Sequence, residues 1–147
     1  MDDDCAGYTR RLPHWRAEGA VYFVTWCMDR GVPDLDGAER DQVLRSLRHF
    51  AGVRYDLYAA VVMNDHVHVL VRPRPGFALE RIVHAWKSYT SRRFQHRKGG
   101  VWQPEHWDRI IRTDRELEEM LQYIANNPFT RWPEIDSYPW IWLSDNE

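Results

Sequence analysis

Two histidines separated by a single residue, His66 and His68, stand in the run Ala59-Ala60-Val61-Val62-Met63-Asn64-Asp65-His66-Val67-His68-Val69-Leu70-Val71-Arg72-Pro73. The aliphatic, β-branched content of that run, closed by a proline, predicts sheet. Side chains alternate along a strand, so residues two apart share a face, with Cα atoms roughly 6.6 Å apart. Both imidazoles then project the same way, with Val67 turned to the core behind them. Two neutral imidazoles at that separation suit one divalent cation. The same spacing also fits a solvated strand face that carries two histidines, so the pair takes its meaning from the rest of the chain.

A second concentration of chemistry lies between Ala78 and Arg112. Eight basic residues, Arg81, Lys87, Arg92, Arg93, Arg97, Lys98, Arg109 and Arg112, face only three acidic ones there, Glu80, Glu105 and Asp108. Trp86, Tyr89, Phe94, Trp102 and Trp107 are interleaved with them. Cations for phosphates beside rings for stacking are what a groove for single-stranded nucleic acid requires. An amphipathic helix with a solvated charged face and tryptophans in the core has the same composition.

The elements that must position these residues follow from periodicity. Ala20–Met28 is a strongly apolar first strand, and Gly31, Pro33 and Gly37 mark the loop after it. From Ala38 to Phe50 the residues Val43, Leu44, Leu47 and Phe50 recur at helical spacing, with Gly52 as a stop. Two strands, about Leu57–Met63 and His66–Arg72, are joined by Asn64-Asp65, residue types that suit a tight turn. A second helix is expected from about Ala78 to Arg97, on the apolar stripe Leu79, Ile82, Val83, Trp86 and Phe94, with Tyr89 on or beside it. A short strand follows near Ile110-Ile111. Thr113-Asp114 caps a third helix to about Asn126, and the proline- and tryptophan-rich tail reads as wrapped coil. Strand, helix, strand, strand, helix, strand predicts an α+β fold: an antiparallel sheet with helices packed on one face, close to the split βαβ arrangement.

The 147 residues are read as one domain, residues 1–147, opened by a flexible arm over residues 1–11. A net charge of −2 argues against a surface coated in basic residues. No apolar run approaches the length of a membrane helix, and Met1-Asp2-Asp3-Asp4 is acidic where a signal peptide is basic. Cys5 and Cys27 have no metal-binding spacing and are too few for a disulfide scaffold. A cytoplasmic protein without a membrane partner is the expectation.

In order along the chain, Pro13-His14-Trp15, Tyr22-Phe23-Val24-Thr25, His66-Val67-His68 after Val62-Met63, Trp86-Lys87-Ser88-Tyr89-Thr90-Ser91, Trp102-Gln103, Asp108-Arg109-Ile110-Ile111-Arg112 and Tyr123-Ile124-Ala125-Asn126-Asn127-Pro128 resemble the single-tyrosine HUH transposases of the IS200-like family. Within that family the REP-associated tyrosine transposases are the nearest branch, and the similarity runs from about Leu12 to Trp142. The resemblance implies a ferredoxin-like enzyme, commonly a homodimer, that nicks and rejoins single-stranded DNA near a REP-like hairpin. It also implies a tyrosine that stays attached to the 5′-phosphate, and Mg²⁺ or Mn²⁺ held by the two histidines and one further polar side chain.

Carried onto this chain, His66 and His68 become ligands and Tyr89 the nucleophile. Lys87, Arg92, Arg93, Trp102, Arg109 and Arg112 become the nucleic-acid contacts. The third ligand is expected to be Asn or Gln about one turn after the tyrosine, where this chain has Arg93, which cannot ligate a cation. Gln95, six residues on and about 120° around an ideal helix from Tyr89, is the favoured candidate, with His96 and Asp65 as alternatives. The family's usual Pro-Asn turn before the histidines is Asn64-Asp65 here. Arg93 at the ligand position motivates a second expectation, a domesticated relative that binds structured single-stranded nucleic acid without cutting it. A third is a phosphoesterase that uses water as nucleophile and leaves Tyr89 structural.

Overall fold

The computed structural model describes residues 16–144, so the expected arm over residues 1–11 and Pro13-His14-Trp15 lie outside the described residues. Eight elements follow in order: β1 (Val21–Cys27), α1 (Gly37–His49), β2 (Tyr55–Val62), β3 (His66–Pro73), α2 (Leu79–Arg93), β4 (Trp107–Ile111), α3 (Asp114–Arg131) and β5 (Ile141–Leu143). The strands form one antiparallel sheet in the order β4-β1-β3-β2-β5. The first six elements give the expected split βαβ arrangement, with β1 and β3 central. None of the described helices is long and apolar enough to cross a membrane.

Alternation along the strands divides the core in two. Tyr22, Val24 and Trp26 of β1, Ala60 and Val62 of β2, and Val67, Val69 and Val71 of β3 face α1 and α2. These helices contribute Val43, Leu47, Leu79, Ile82, Val83 and Trp86. Aromatic contacts lock α2 down: Trp86 stacks on Trp26 at 5.6 Å, and its indole N–H donates to the Tyr55 hydroxyl at 3.0 Å. On the reverse face Phe23, Ala59, Val61, Met63 and Leu70 pack against Ile124 of α3 and against Tyr138. The antiparallel α+β fold expected from the sequence is therefore present, but the expected packing of the helices on one face is corrected: α1 and α2 share one face, while the apolar stripe of α3 around Ile124 covers the other. The near-continuous apolar runs of β2 and β3 fit this, because strands covered on both faces need apolar residues at every position.

Element ends differ from the sequence expectation for identifiable reasons. α2 stops at Arg93 because Phe94 turns into the core, its N–H reaching the Thr90 and Ser91 carbonyls. α3 runs past Asn126 to Arg131 with Pro128 inside it; the proline withdraws one helical donor without ending the helix. The tail is not coil at its end: β5 pairs with β2, and the Tyr138 hydroxyl donates to the Val62 carbonyl at 2.6 Å.

One buried carboxylate ties the loop after α2 to α1. Glu39 closes a capping box with Asp36, and it accepts from Arg97 through both oxygens at 2.7 Å and meets His96 at 2.6 Å. Its side chain is 4% exposed. The Arg97 hydrogen bonds pull its pKa from 4.5 down to about 2, against the opposing effect of burial. A depressed carboxylate pKa stabilises the fold above the unfolded value and loses that contribution as the pH falls through the folded one. Glu39→Gln is therefore expected to cost about 3 kcal/mol at neutral pH, at about 1.4 kcal/mol per pKa unit. The gap between variant and wild type should narrow from about pH 4.5 towards pH 2, as urea unfolding at stepped pH would report.

Candidate active site

The Asn64-Asp65 turn delivers the histidines. The Met63 N–H donates to the His66 carbonyl at 2.8 Å, so β3 opens at His66. His68 lies opposite Thr25 of β1 and Val61 of β2. His66 and His68 are 3% and 0% exposed, on the face covered by α3. Their ring centroids are 4.7 Å apart with planes inclined at 73°. With metal–nitrogen bonds of about 2.1 Å, two imidazoles bound at a right angle to one cation have centroids about 4.5 Å apart. The spacing thus fits a shared cation, and the tertiary contacts fit as well. Nδ1 of His66 meets Asp65 Oδ1 at 2.8 Å, and Nδ1 of His68 meets Thr25 Oγ1 at 2.7 Å. With Nδ1 anchored from behind, Nε2 is the atom that each ring presents to a ligand, as metal-binding histidines require. The His66 hydrogen bond also holds the Asp65 carboxyl below the usual carboxylate range, against burial.

α3 brings a phenol to this pair. Thr113 caps the helix through the Glu116 N–H, and Ile124 is fully buried against the sheet, with Leu117, Met120 and Leu121 packed around it. That packing turns Tyr123 onto the histidines. Its ring meets His68 edge-on at 5.4 Å and Phe23 at 5.9 Å, while Phe23 stacks on His68 at 5.2 Å. Tyr123 is 37% exposed, so the ring touches the buried imidazole and still reaches solvent. Asn127, half-buried, follows one helical turn later and shares the Tyr123 side of α3.

A phenol against paired imidazoles, on the reverse face of a split βαβ sheet, is accompanied by a match in sequence. The family described as "Transposase IS200 like" matches residues 20–127. The chain belongs to the IS200-like transposase family. The chain is 24% identical over 128 residues to a Haemophilus influenzae protein named "Putative REP-associated tyrosine transposase", covering 76% of this chain and 71% of that one. In fold it is similar to a REP-associated tyrosine transposase solved bound to a REP hairpin, with a TM-score of 0.72 and 18% identity over 84% of this chain and 75% of that one. It is also similar to a solved chain described as a "putative transposase" from Deinococcus radiodurans, with a TM-score of 0.54 and 23% identity over 79% of this chain and 96% of the other.

The sheet separates the residues that the sequence reading assigned to one site. Tyr89 belongs to α2, which packs on the face opposite the histidines; it is 40% exposed there, with the Arg93 guanidinium 5.4 Å from its ring centroid. The structure does not bring it to the pair. Gln95 is exposed in the turn after α2, between the core residue Phe94 and His96, and His96 is held by Glu39 of α1. Both alternatives from that turn therefore lie with α1 and α2. Asp65 is beside the site, but its oxygen is on Nδ1 of His66, behind the ring. Among the described residues no group of three His, Cys, Asp or Glu side chains is placed to hold a metal.

The expected nucleic-acid contacts also divide. Trp102 is a core residue, 7% exposed, donating its indole N–H to Thr90 at 2.9 Å. The Lys87 ammonium is spent on the carbonyls of Gln103, Pro104 and Glu105, at 2.7, 3.1 and 3.1 Å, and burial lowers its pKa. Both tie α2 to the following segment. Arg92 and Arg93 are exposed at the end of α2, on the Tyr89 side. Arg109 is opposite Phe23 in the β1–β4 ladder, so it shares the histidine face, and it is exposed there. Arg112 is exposed just beyond β4. The phenol that the structure brings to His68, and that the sequence reading did not single out, is Tyr123, although its motif was in view. The signal was the amide one turn later: Tyr123 is followed at that distance by Asn127, whereas Tyr89 is followed by Arg93.

Proposed function

We propose that this transposase cuts and rejoins single-stranded DNA beside a hairpin, with Tyr123 as nucleophile. His66 and His68 hold Mg²⁺ or Mn²⁺, and Asn127 supplies the amide that completes the donor set. The observation that carries this reading is the Tyr123 ring resting on His68, on the side of the sheet where both imidazoles face α3. A dication held there would withdraw charge from the scissile phosphate and fix it for in-line attack. The chain's own residues do the rest. The Tyr123 oxygen gives up its proton and bonds to phosphorus, the bond to the 3′ oxygen breaks, and that oxygen leaves as a hydroxyl after taking up a proton. The 5′ end stays on the enzyme as a phosphotyrosine ester, so the energy of the phosphodiester is kept for the reverse step on a second 3′ hydroxyl. In this reading Arg109, exposed on the same face, meets backbone phosphates, and the homodimer and REP-like hairpin implied by the resemblance belong to it as well.

The test is attachment. Incubation with a panel of hairpin-bearing single-stranded oligonucleotides should give a protein–DNA species that survives denaturing electrophoresis and requires Mg²⁺ or Mn²⁺. Protein that binds the hairpins and never becomes attached under either cation would instead be the domesticated binder. Strands cut with no attached protein would point to water as nucleophile.

A further inference from the structure

His66 and His68 are anchored by partners of different chemistry, and the difference matters. An ionised carboxylate only accepts hydrogen bonds, so Asp65 fixes the hydrogen of a neutral His66 ring on Nδ1, with the lone pair on Nε2. A hydroxyl both donates and accepts. Thr25 is fully buried, lies directly opposite His68 in the β1–β3 ladder, and has its Oγ1 2.7 Å from Nδ1. If that hydroxyl donates, the hydrogen of a neutral His68 is on Nε2 and the ring cannot ligate. If it accepts, the Nε2 lone pair can bind a cation. The ring is confined meanwhile, with Phe23 stacked on it at 22° and the edge of Tyr123 against it.

We propose that Thr25 is a positioning residue for the cation site, its oxygen accepting from His68 Nδ1–H and so setting Nε2 as the ligating atom. This inference rests on the cation-dependent reading above and adds to it the residue that sets the protonation pattern of the buried ligand. The two strands thereby play complementary parts, with β3 supplying the imidazole and β1 deciding which of its nitrogens faces the metal.

The experiment reads the tautomer first, without metal. In ¹⁵N-labelled, cation-free protein at about pH 8, above the ordinary imidazole pKa of about 6.5, long-range ¹H–¹⁵N correlation should show His68 as the Nδ1–H form. Thr25→Val keeps the β-branched shape and should move the ring towards Nε2–H, while Thr25→Ser should restore the wild-type spectrum. Mn²⁺ titration followed by electron paramagnetic resonance should then show roughly 10- to 100-fold weaker binding by Thr25→Val, the loss typical of removing such a support. Thr25→Ser should bind close to wild type. An Nε2–H form in the wild type, or unchanged Mn²⁺ affinity in Thr25→Val, would overturn the proposal. Wild-type protein with the Nδ1–H form that takes up no Mn²⁺ would fail differently: the cation reading itself would fall, and the role of Thr25 with it.

Discussion

Tyr123→Phe should abolish the attached protein–DNA species, a loss on the order of a thousandfold or more in strand transfer, because the variant has no oxygen to bond to phosphorus. The ring itself is retained. Its edge contacts with His68 and Phe23 need only the aromatic body, and Tyr123 is 37% exposed, so the fold should lose no more than about 0.5 kcal/mol. Hairpin binding should be nearly unchanged, since phosphate contacts dominate such affinity. Tyr89→Phe should leave attachment at the wild-type level, because Tyr89 is on α2, across the sheet from the imidazoles. Denaturing gels of both variants, read beside thermal unfolding and a hairpin titration, check each part.

The second large effect concerns the imidazoles. His66→Asn and His68→Gln keep a polar group near Asp65 and Thr25 while removing the ring nitrogens. Each should lower cation-dependent attachment by about 1,000-fold or more, equivalent to the several kcal/mol of charge stabilisation that a bound metal supplies. Hairpin affinity should fall far less, and its dependence on salt should persist, because counterion release comes from phosphate contacts and not from the two rings. His68 is fully buried, so its variant needs a matched unfolding measurement to separate lost chemistry from lost structure. Equal attachment by wild type and both variants would remove the histidines from the reaction.

Much of the fold is legible because its signals are local. The hairpin follows from Asn64-Asp65, the shared face of His66 and His68 from the two-residue period, and α1 from Val43, Leu44 and Leu47 at helical spacing. What periodicity does not give is which helix ends up on which face of the sheet. That choice decides between Tyr89 and Tyr123, since each is in a helix beside aromatic and polar neighbours. Two cues in the sequence bear on it. The unbroken apolar runs Ala59–Met63 and Val69–Val71 call for cover on both faces, and only Tyr123 has an amide one turn later. Composition was a weaker guide. A tryptophan among cations is the same residue type in a stacking groove and in a core, and for Trp102 the hydrogen bond to Thr90 decides for the core. Lys87 likewise counts as basic in the sequence, yet three backbone carbonyls occupy its ammonium.

The claim on which the rest depends is that the cation site and the attacking oxygen meet on the α3 side of the sheet. Mass spectrometry of the protein–DNA adduct after proteolysis and nuclease digestion tests it most directly, by locating the nucleotide-modified residue. The modification is predicted on the peptide that contains Tyr123, with a phosphate ester on the phenol oxygen. An adduct mapped to Tyr89, or to any other residue on the α1 and α2 side of the sheet, would contradict the account.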